Sequence, residues 1–180
     1  MSYEIRTYGD PVLKSKAAPV ENVDGKVIRL VDGMFDNLTR TDNGLALAAP
    51  QIGVQRRVVV WDFGEEPLAI VNPEVVESDG EWPYDEGCLS IPGLYVEMLR
   101  PKTVLVRGVS LDGEIVEIEA DELEARMFQH EIDHLNGVLM FDRLEGDQRK
   151  EALAEYRRLE EQAAALEGPR QPLRRRLGLS

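Results

Sequence analysis

The sequence predicts an α+β fold, and three observations carry that prediction. Apolar residues recur at helical spacing in three separate stretches. Short β-branched runs fall between those stretches without a regular strand–helix–strand alternation, which argues against a parallel α/β sheet. Two of the runs flank Asp112-Gly113, a strong signal for an antiparallel hairpin.

Residues 3–20 read as irregular, with turn chemistry at Gly9-Asp10-Pro11. From about Asp24 to Thr39, Val27, Ile28, Val31, Met34, Phe35 and Leu38 mark an amphipathic helix. Asp42-Asn43-Gly44 ends it. Arg57–Trp61 reads as a short buried strand. Leu68–Val71 and Glu74–Glu77 form a second extended region, bent at Asn72-Pro73. Gly80, Pro83 and Gly87 predict a loop. Thr103–Arg107 and Glu114–Ile118 are the arms of the hairpin. A helix spans Leu123 to Leu135. A last helix runs from about Asp147 to Glu167, with Leu153, Tyr156, Leu159, Ala163 and Leu166 on one stripe, and Gly168-Pro169 stops it.

A chain of 180 residues suits one domain with a sizeable core. We expect that domain to occupy residues 1–168, followed by a basic tail at 169–180. A net charge of −13 argues against a broad nucleic-acid surface. The acidity is uneven: the tail carries Arg170, Arg174, Arg175 and Arg176 and no acid, so the remainder is more acidic still. No apolar run is long enough to span a bilayer, and Met1-Ser2-Tyr3-Glu4 begins no secretory signal. A single cysteine cannot form an intrachain disulfide, which suits a reducing cytoplasm.

The stretch richest in chemistry is Phe128-Gln129-His130-Glu131-Ile132-Asp133-His134-Leu135, an H-E-x-x-H pattern within the second helical segment. His130 and His134 are four apart, so one helix face carries both imidazoles. Two neutral imidazoles so placed bind one divalent cation, and Glu131 beside the first is placed to act as a general base. They are the only histidines in the chain. A catalytic centre needs a third protein ligand, here a carboxylate or the single cysteine, Cys88. On its own, Cys88 reads as a buried, inert thiol.

Three blocks together resemble the motifs of peptide deformylases in order and spacing: Gly44-Leu45-Ala46-Leu47-Ala48-Ala49-Pro50-Gln51, Glu86-Gly87-Cys88-Leu89-Ser90, and Gln129-His130-Glu131-Ile132-Asp133-His134-Leu135-Asn136-Gly137. The likeness also takes in Tyr8–Leu13 and spans most of residues 3–145. It implies antiparallel β-sheets packed around a central metal-binding helix, with a C-terminal helix. It implies an enzyme that hydrolyses the N-formyl group from the N-terminal methionine of new polypeptides and releases formate.

The resemblance makes Cys88 the third metal ligand with His130 and His134, leaving a fourth position for water. It makes Glu131 the base, and the Gln51 side-chain amide and Leu89 N–H the donors to the developing oxyanion. The metal it implies is Fe2+ natively, with Zn2+, Ni2+ or Co2+ able to substitute. By motif position, Glu86 pairs with Arg100 to brace the Cys88 loop. Gly44, Leu45, Ala46, Leu123 and Met127 are expected at the substrate. Ala46 stands where the family usually has glycine, and its methyl is expected to narrow the cleft or restrict φ. The Arg-rich tail has two readings, a flexible solvated extension or, with the C-terminal helix, a ribosome contact as in some deformylases. A monomer with no membrane association is expected.

Two other functions fit parts of the pattern. A metalloprotease would need a downstream carboxylate ligand, and no clear helix-borne glutamate motif supplies one. A structural metal site would need a fourth protein ligand, and there is one Cys and no spare His.

Overall fold

The computed structural model describes residues 3–41, 44–64 and 66–167. Its architecture follows from one apolar run. Strand β2 (Val58–Trp61), after β1 (Ala46–Ala48), is buried on both faces. Val58 and Val60 face one apolar cluster, and Val59 and Trp61 face another. Alternate residues of a strand point to opposite sides, so β2 must lie between two layers.

The first layer is helix α1 (Gly25–Leu38), which packs Val27, Val31, Met34 and Leu38 on Leu47, Val58, Val60 and Val71. Asp24 caps it, accepting from the Lys26 and Val27 amides. The second layer is helix α2 (Glu122–Leu135), whose Ala125, Phe128, Ile132 and Leu135 meet Val59, Trp61, Ile70, Val104 and Val106. Between them lies a five-stranded antiparallel sheet of order β1-β2-β3-β6-β7, with β3 Leu68–Asp79, β6 Thr103–Val109 and β7 Ile115–Asp121. The two extended segments predicted around Asn72-Pro73 form the one strand β3. Its register shifts between Val71 and Glu74, where Asn72 takes a φ of 51°. The Asn72 side chain clasps the Val20 backbone through both its N–H and its C=O, which holds the bulge.

The loop predicted at Gly80–Gly87 is instead strand β4 (Trp82–Cys88). It pairs with β5 (Ile91–Arg100) in a separate two-stranded sheet. Its pairing with β5 supplies the backbone hydrogen bonds that its own Pro and Gly residues do not announce. Strand β5 and two short elements, β1 and helix α3 (Met140–Arg143), are likewise absent from the sequence prediction.

Helix α4 (Gly146–Glu167) covers β5, burying Ala152 and Tyr156 against Ile91, Leu94, Met98 and Phe141. The predicted stripe on α4 holds only in part. Leu153, Tyr156 and Leu159 pack, but Ala163 and Leu166 are exposed because the helix outruns the hairpin beneath it. The break at Gly168-Pro169, the tail at 169–180 and Asp42-Asn43 lie outside the described residues. Among the described residues no helix is long and apolar enough to cross a membrane.

Candidate metal centre

Helix α2 is buried on two sides. One stripe packs on the sheet, and the other carries Leu123, Met127, His130, Glu131 and His134. Across from the histidines, β4 ends at Cys88. At Gly87 the ring of Tyr95 packs over the backbone, and a Cβ there would lie 2.6 Å from its Cε1 unless the ring moved. Cys88 Sγ lies 3.2 Å from His134 Nε2, which lies 3.1 Å from His130 Nε2. The three ligand atoms all fall within 4.8 Å of one another.

Tetrahedral coordination at ordinary Zn–N and Zn–S lengths would set such atoms roughly 3.3–3.6 Å apart. The two spacings at His134 need open by only a few tenths of an ångström, and the Cys88–His130 pair lies within 4.8 Å, so small side-chain shifts fit the donor set to one divalent cation. Its chemistry also fits. Burial disfavours charge on His130, but the Cys88 sulfur and the Glu86 carboxylate outweigh it and raise the pKa. The cluster therefore draws positive charge. Burial and His130 both push His134 well below the usual histidine range, leaving it the neutral imidazole that ligates.

Glu86 is the hub behind His130. Burial alone would raise its pKa, but His130 and Arg100 hold it well below the usual carboxylate range. It accepts two bonds from Arg100 (2.7 and 2.6 Å), one from Arg126 Nη1 (2.8 Å) and one from His130 Nδ1 (2.6 Å). An ionised carboxylate can only accept, so Nδ1 carries a proton and Nε2 is the nitrogen turned toward His134 and Cys88, the one left to meet a cation. The Glu86–Arg100 pair expected from the sequence is present and fully buried, unlike a surface ion pair. Asp133 does not serve a histidine. It accepts from Arg100 and Arg143, which ties the back of α2 to β5 and α3. His134 Nδ1 has no partner among the described residues.

Glu131 is buried, and its Oε2 has no partner among the described residues. Burial raises its pKa to about 7, with charge on His130 opposing and Glu86 adding to the rise. Gln51 is almost fully buried in a 3-10 turn, Ala49–Ile52. Its Oε1 accepts from the Ala48 amide at 2.8 Å, which turns its NH2 toward Ser90 Oγ (3.3 Å) and Cys88 Sγ (3.9 Å). Leu89 lies in the turn between β4 and β5.

A cleft of about 590 Å³ opens on these atoms. Cys88, His130, Glu131, Gln51, Leu89, Gly44, Leu45, Ala46, Leu123 and Met127 all line it. Ala46 sits in strand β1 without positive φ, so the expected backbone restriction does not arise. A larger groove of about 1000 Å³ lies against the opposite face of α2, beside Gln129, Ile132 and Asp133, and includes none of the three ligand atoms. Two buried residues that touch the site, Ser90 on Gln51 and Arg126 on Glu86, were not singled out from the sequence. Ser90 is a neutral serine in a turn. Arg126 is an arginine within a helix, a type normally read as solvent-facing.

A family model described as polypeptide deformylase matches residues 2–150. The chain belongs to this family. A peptide deformylase of Carboxydothermus hydrogenoformans is 45% identical over 148 residues, which are 82% of this chain and 97% of that protein. One from Thermotoga neapolitana is also 45% identical over 148 residues, 82% of this chain and 90% of its own. The crystal structure of a peptide deformylase from Legionella pneumophila superposes with a TM-score of 0.85 at 38% identity, covering 96% of this chain and all of that one. Another, from Synechococcus elongatus in complex with actinonin, gives 0.80 at 36% identity, covering 86% and 85%. The deformylase fold, with antiparallel sheets and a C-terminal helix, is thus the fold of this chain.

Proposed function

We propose that this deformylase hydrolyses the N-formyl group from the N-terminal methionine of newly made polypeptides, releasing formate. One observation carries the reading: three ligand atoms from β4 and α2 converge, with Cys88 and His130 on the wall of an open cleft, beside a buried carboxylate with an unpartnered oxygen. Cys88, His130 and His134 would hold a divalent cation, which when bound supplies Lewis acidity, lowering the pKa of water and polarising a carbonyl. Glu131 takes the proton of the attacking water and returns it to the leaving amine. Its raised pKa places it near neutrality for both transfers. The Gln51 NH2, aimed by the Ala48 amide, and the Leu89 N–H donate to the oxygen that gains charge. Leu45, Leu123 and Met127 form the apolar wall for the methionine side chain, with Gly44 and Ala46 along the peptide backbone.

The native cation is Fe2+, with Zn2+, Ni2+ and Co2+ as substitutes, since a thiolate and two imidazoles accept all four. The catalytic domain occupies residues 1–168. The enzyme works as a cytoplasmic monomer, and its basic tail at 169–180, together with the C-terminal helix, meets ribosomal RNA phosphates.

The test is metal content together with formate release from formyl-Met-Ala-Ser. One equivalent of metal with metal-dependent formate release is expected. A metal-loaded protein that leaves the peptide intact would overturn the proposal.

A further inference from the structure

The Gln51 amide helps a developing oxyanion only if its plane is held in one orientation. The last torsion of a glutamine joins an sp3 to an sp2 carbon and has broad, roughly two-fold minima, so hydrogen bonds must fix that plane. The Ala48 N–H fixes one end by donating to Oε1 at 2.8 Å. One bond alone leaves the amide free to pivot about it. The second comes from across the site: Nε2 donates to Ser90 Oγ at 3.3 Å, and that serine has no exposed surface. An amide NH2 carries two protons. With one on Ser90, the other is left on the side of Cys88 Sγ, 3.9 Å from Nε2.

The backbone sets the spacing of the two partners. Gln51 lies in the turn Ala49–Ile52, and Ser90 lies in the turn between β4 and β5. A short N-terminal segment spans both. The Arg6 N–H donates to the Gln51 carbonyl at 2.7 Å, and the Tyr8 N–H donates to the Ser90 carbonyl at 2.8 Å. Ile5, just before them, lines the cleft. Alternate amides of one segment thus tie the turn that carries the Gln51 amide to the turn that carries the Leu89 N–H.

We propose that Ser90 is a positioning residue for the reaction: its hydroxyl oxygen holds one Nε2 proton of Gln51 and so aims the other at the oxygen that gains charge. This deepens the proposed function and rests on it. Ser90 is fully buried, so it acts through Gln51 and touches no substrate. Without the bond the amide pivots and spends less time in the useful orientation. The expected loss in kcat is about three- to ten-fold, the worth of one neutral hydrogen bond. Removing the donor itself costs about 10²- to 10³-fold. An interaction made only in the transition state lowers kcat and leaves KM nearly unchanged.

The experiment measures formate release from formyl-Met-Ala-Ser by the metal-loaded full chain, Ser90→Ala, Gln51→Ala and the double variant, with the metal content of each. Ser90→Ala should keep its metal and lose kcat about three- to ten-fold at nearly constant KM. The same substitution should change nothing further once residue 51 is alanine. Parental kcat in Ser90→Ala, an equal loss in both backgrounds, or a change in KM alone would overturn the proposal. Loss of metal or of the fold in Ser90→Ala would also overturn it, by showing a structural role. A second measurement needs no turnover. In Zn2+-loaded protein carrying 15N-labelled glutamine, the Gln51 NH2 signals are assigned by their absence in Gln51→Ala. Relaxation should show them rigid in the parent and mobile in Ser90→Ala. A mobile amide in the parent, or equal rigidity in both, refutes the contact. If the parent releases no formate, it is the proposed activity that fails, and the relaxation data still decide whether Ser90 holds the amide.

Discussion

Replacing Glu86 with glutamine tests whether the charge network behind His130 holds the site together. The side chain keeps its size and loses its charge. Four hydrogen bonds from Arg100, Arg126 and His130 converge on it, and Arg100 and Arg126 are both about 95% buried or more. Glutamine can accept on one atom only, so at least one guanidinium edge faces an N–H instead of an oxygen. Breaking a buried pair by removing one partner costs about 3–5 kcal/mol. In a domain of this size, that lowers Tm by roughly 6–20 °C. Loss of the group that orients a ligating imidazole weakens metal affinity by about 10- to 100-fold.

Because the native pKa of Glu86 is depressed, its contribution is fully present above the unfolded-state value and is lost as pH falls through the native one. The gap between parent and variant should therefore shrink below about pH 4.5. Thermal unfolding from pH 3 to 8, with a metal-competition titration at pH 7, measures both effects. Glu117→Gln is the control. That carboxylate meets Arg107 on the surface, where a pair contributes about 0–1 kcal/mol. If Glu86→Gln melted no lower than Glu117→Gln and bound metal as tightly as the parent, the network would not be what orients His130.

Glu131→Gln should keep its metal and lose about 10²- to 10⁴-fold in kcat, read from formate release beside metal analysis; near-parental turnover would remove Glu131 as the base. The same variant makes a stability prediction for the metal-stripped protein. The native pKa is raised to about 7, so the fold loses stability as pH rises from the unfolded value to that point. At pH 8 the variant should be more stable by up to about 3 kcal/mol, and at pH 4 no more stable than the parent. Cys88→Ser should weaken metal binding sharply, and unchanged stoichiometry and affinity in a competition titration would exclude the sulfur as a ligand. Deleting residues 169–180 should abolish salt-sensitive co-sedimentation with ribosomes and leave turnover of formyl-Met-Ala-Ser intact; co-sedimentation that survives the deletion would dismiss the ribosome role.

What the sequence disclosed follows the range over which each feature is determined. The four-residue spacing of His130 and His134 is converted to a shared face by helix geometry alone, so the ligand pair was legible locally. Helix α1 was legible because its cap and its apolar stripe both lie within it. Strand β4 was not, because Pro83 and its flanking glycines read as a loop until β5 is laid beside them. Gly87 looked like turn chemistry, yet it sits within a strand opposite Tyr95, whose ring packs over it. The stripe on α4 shows the reverse error, since Ala163 and Leu166 have the right period and no surface to meet.

Arg126 is the deepest omission. Nothing within one helical turn marks it as buried. Its acceptors are Glu86, 40 residues away, and the carbonyls of Trp82 and Met98, 44 and 28 residues away. Motif reading finds the atoms that meet a cation because helix and turn geometry place them. The residues that hold those atoms in position are chosen by tertiary neighbours, here the Glu86 carboxylate and two strand carbonyls.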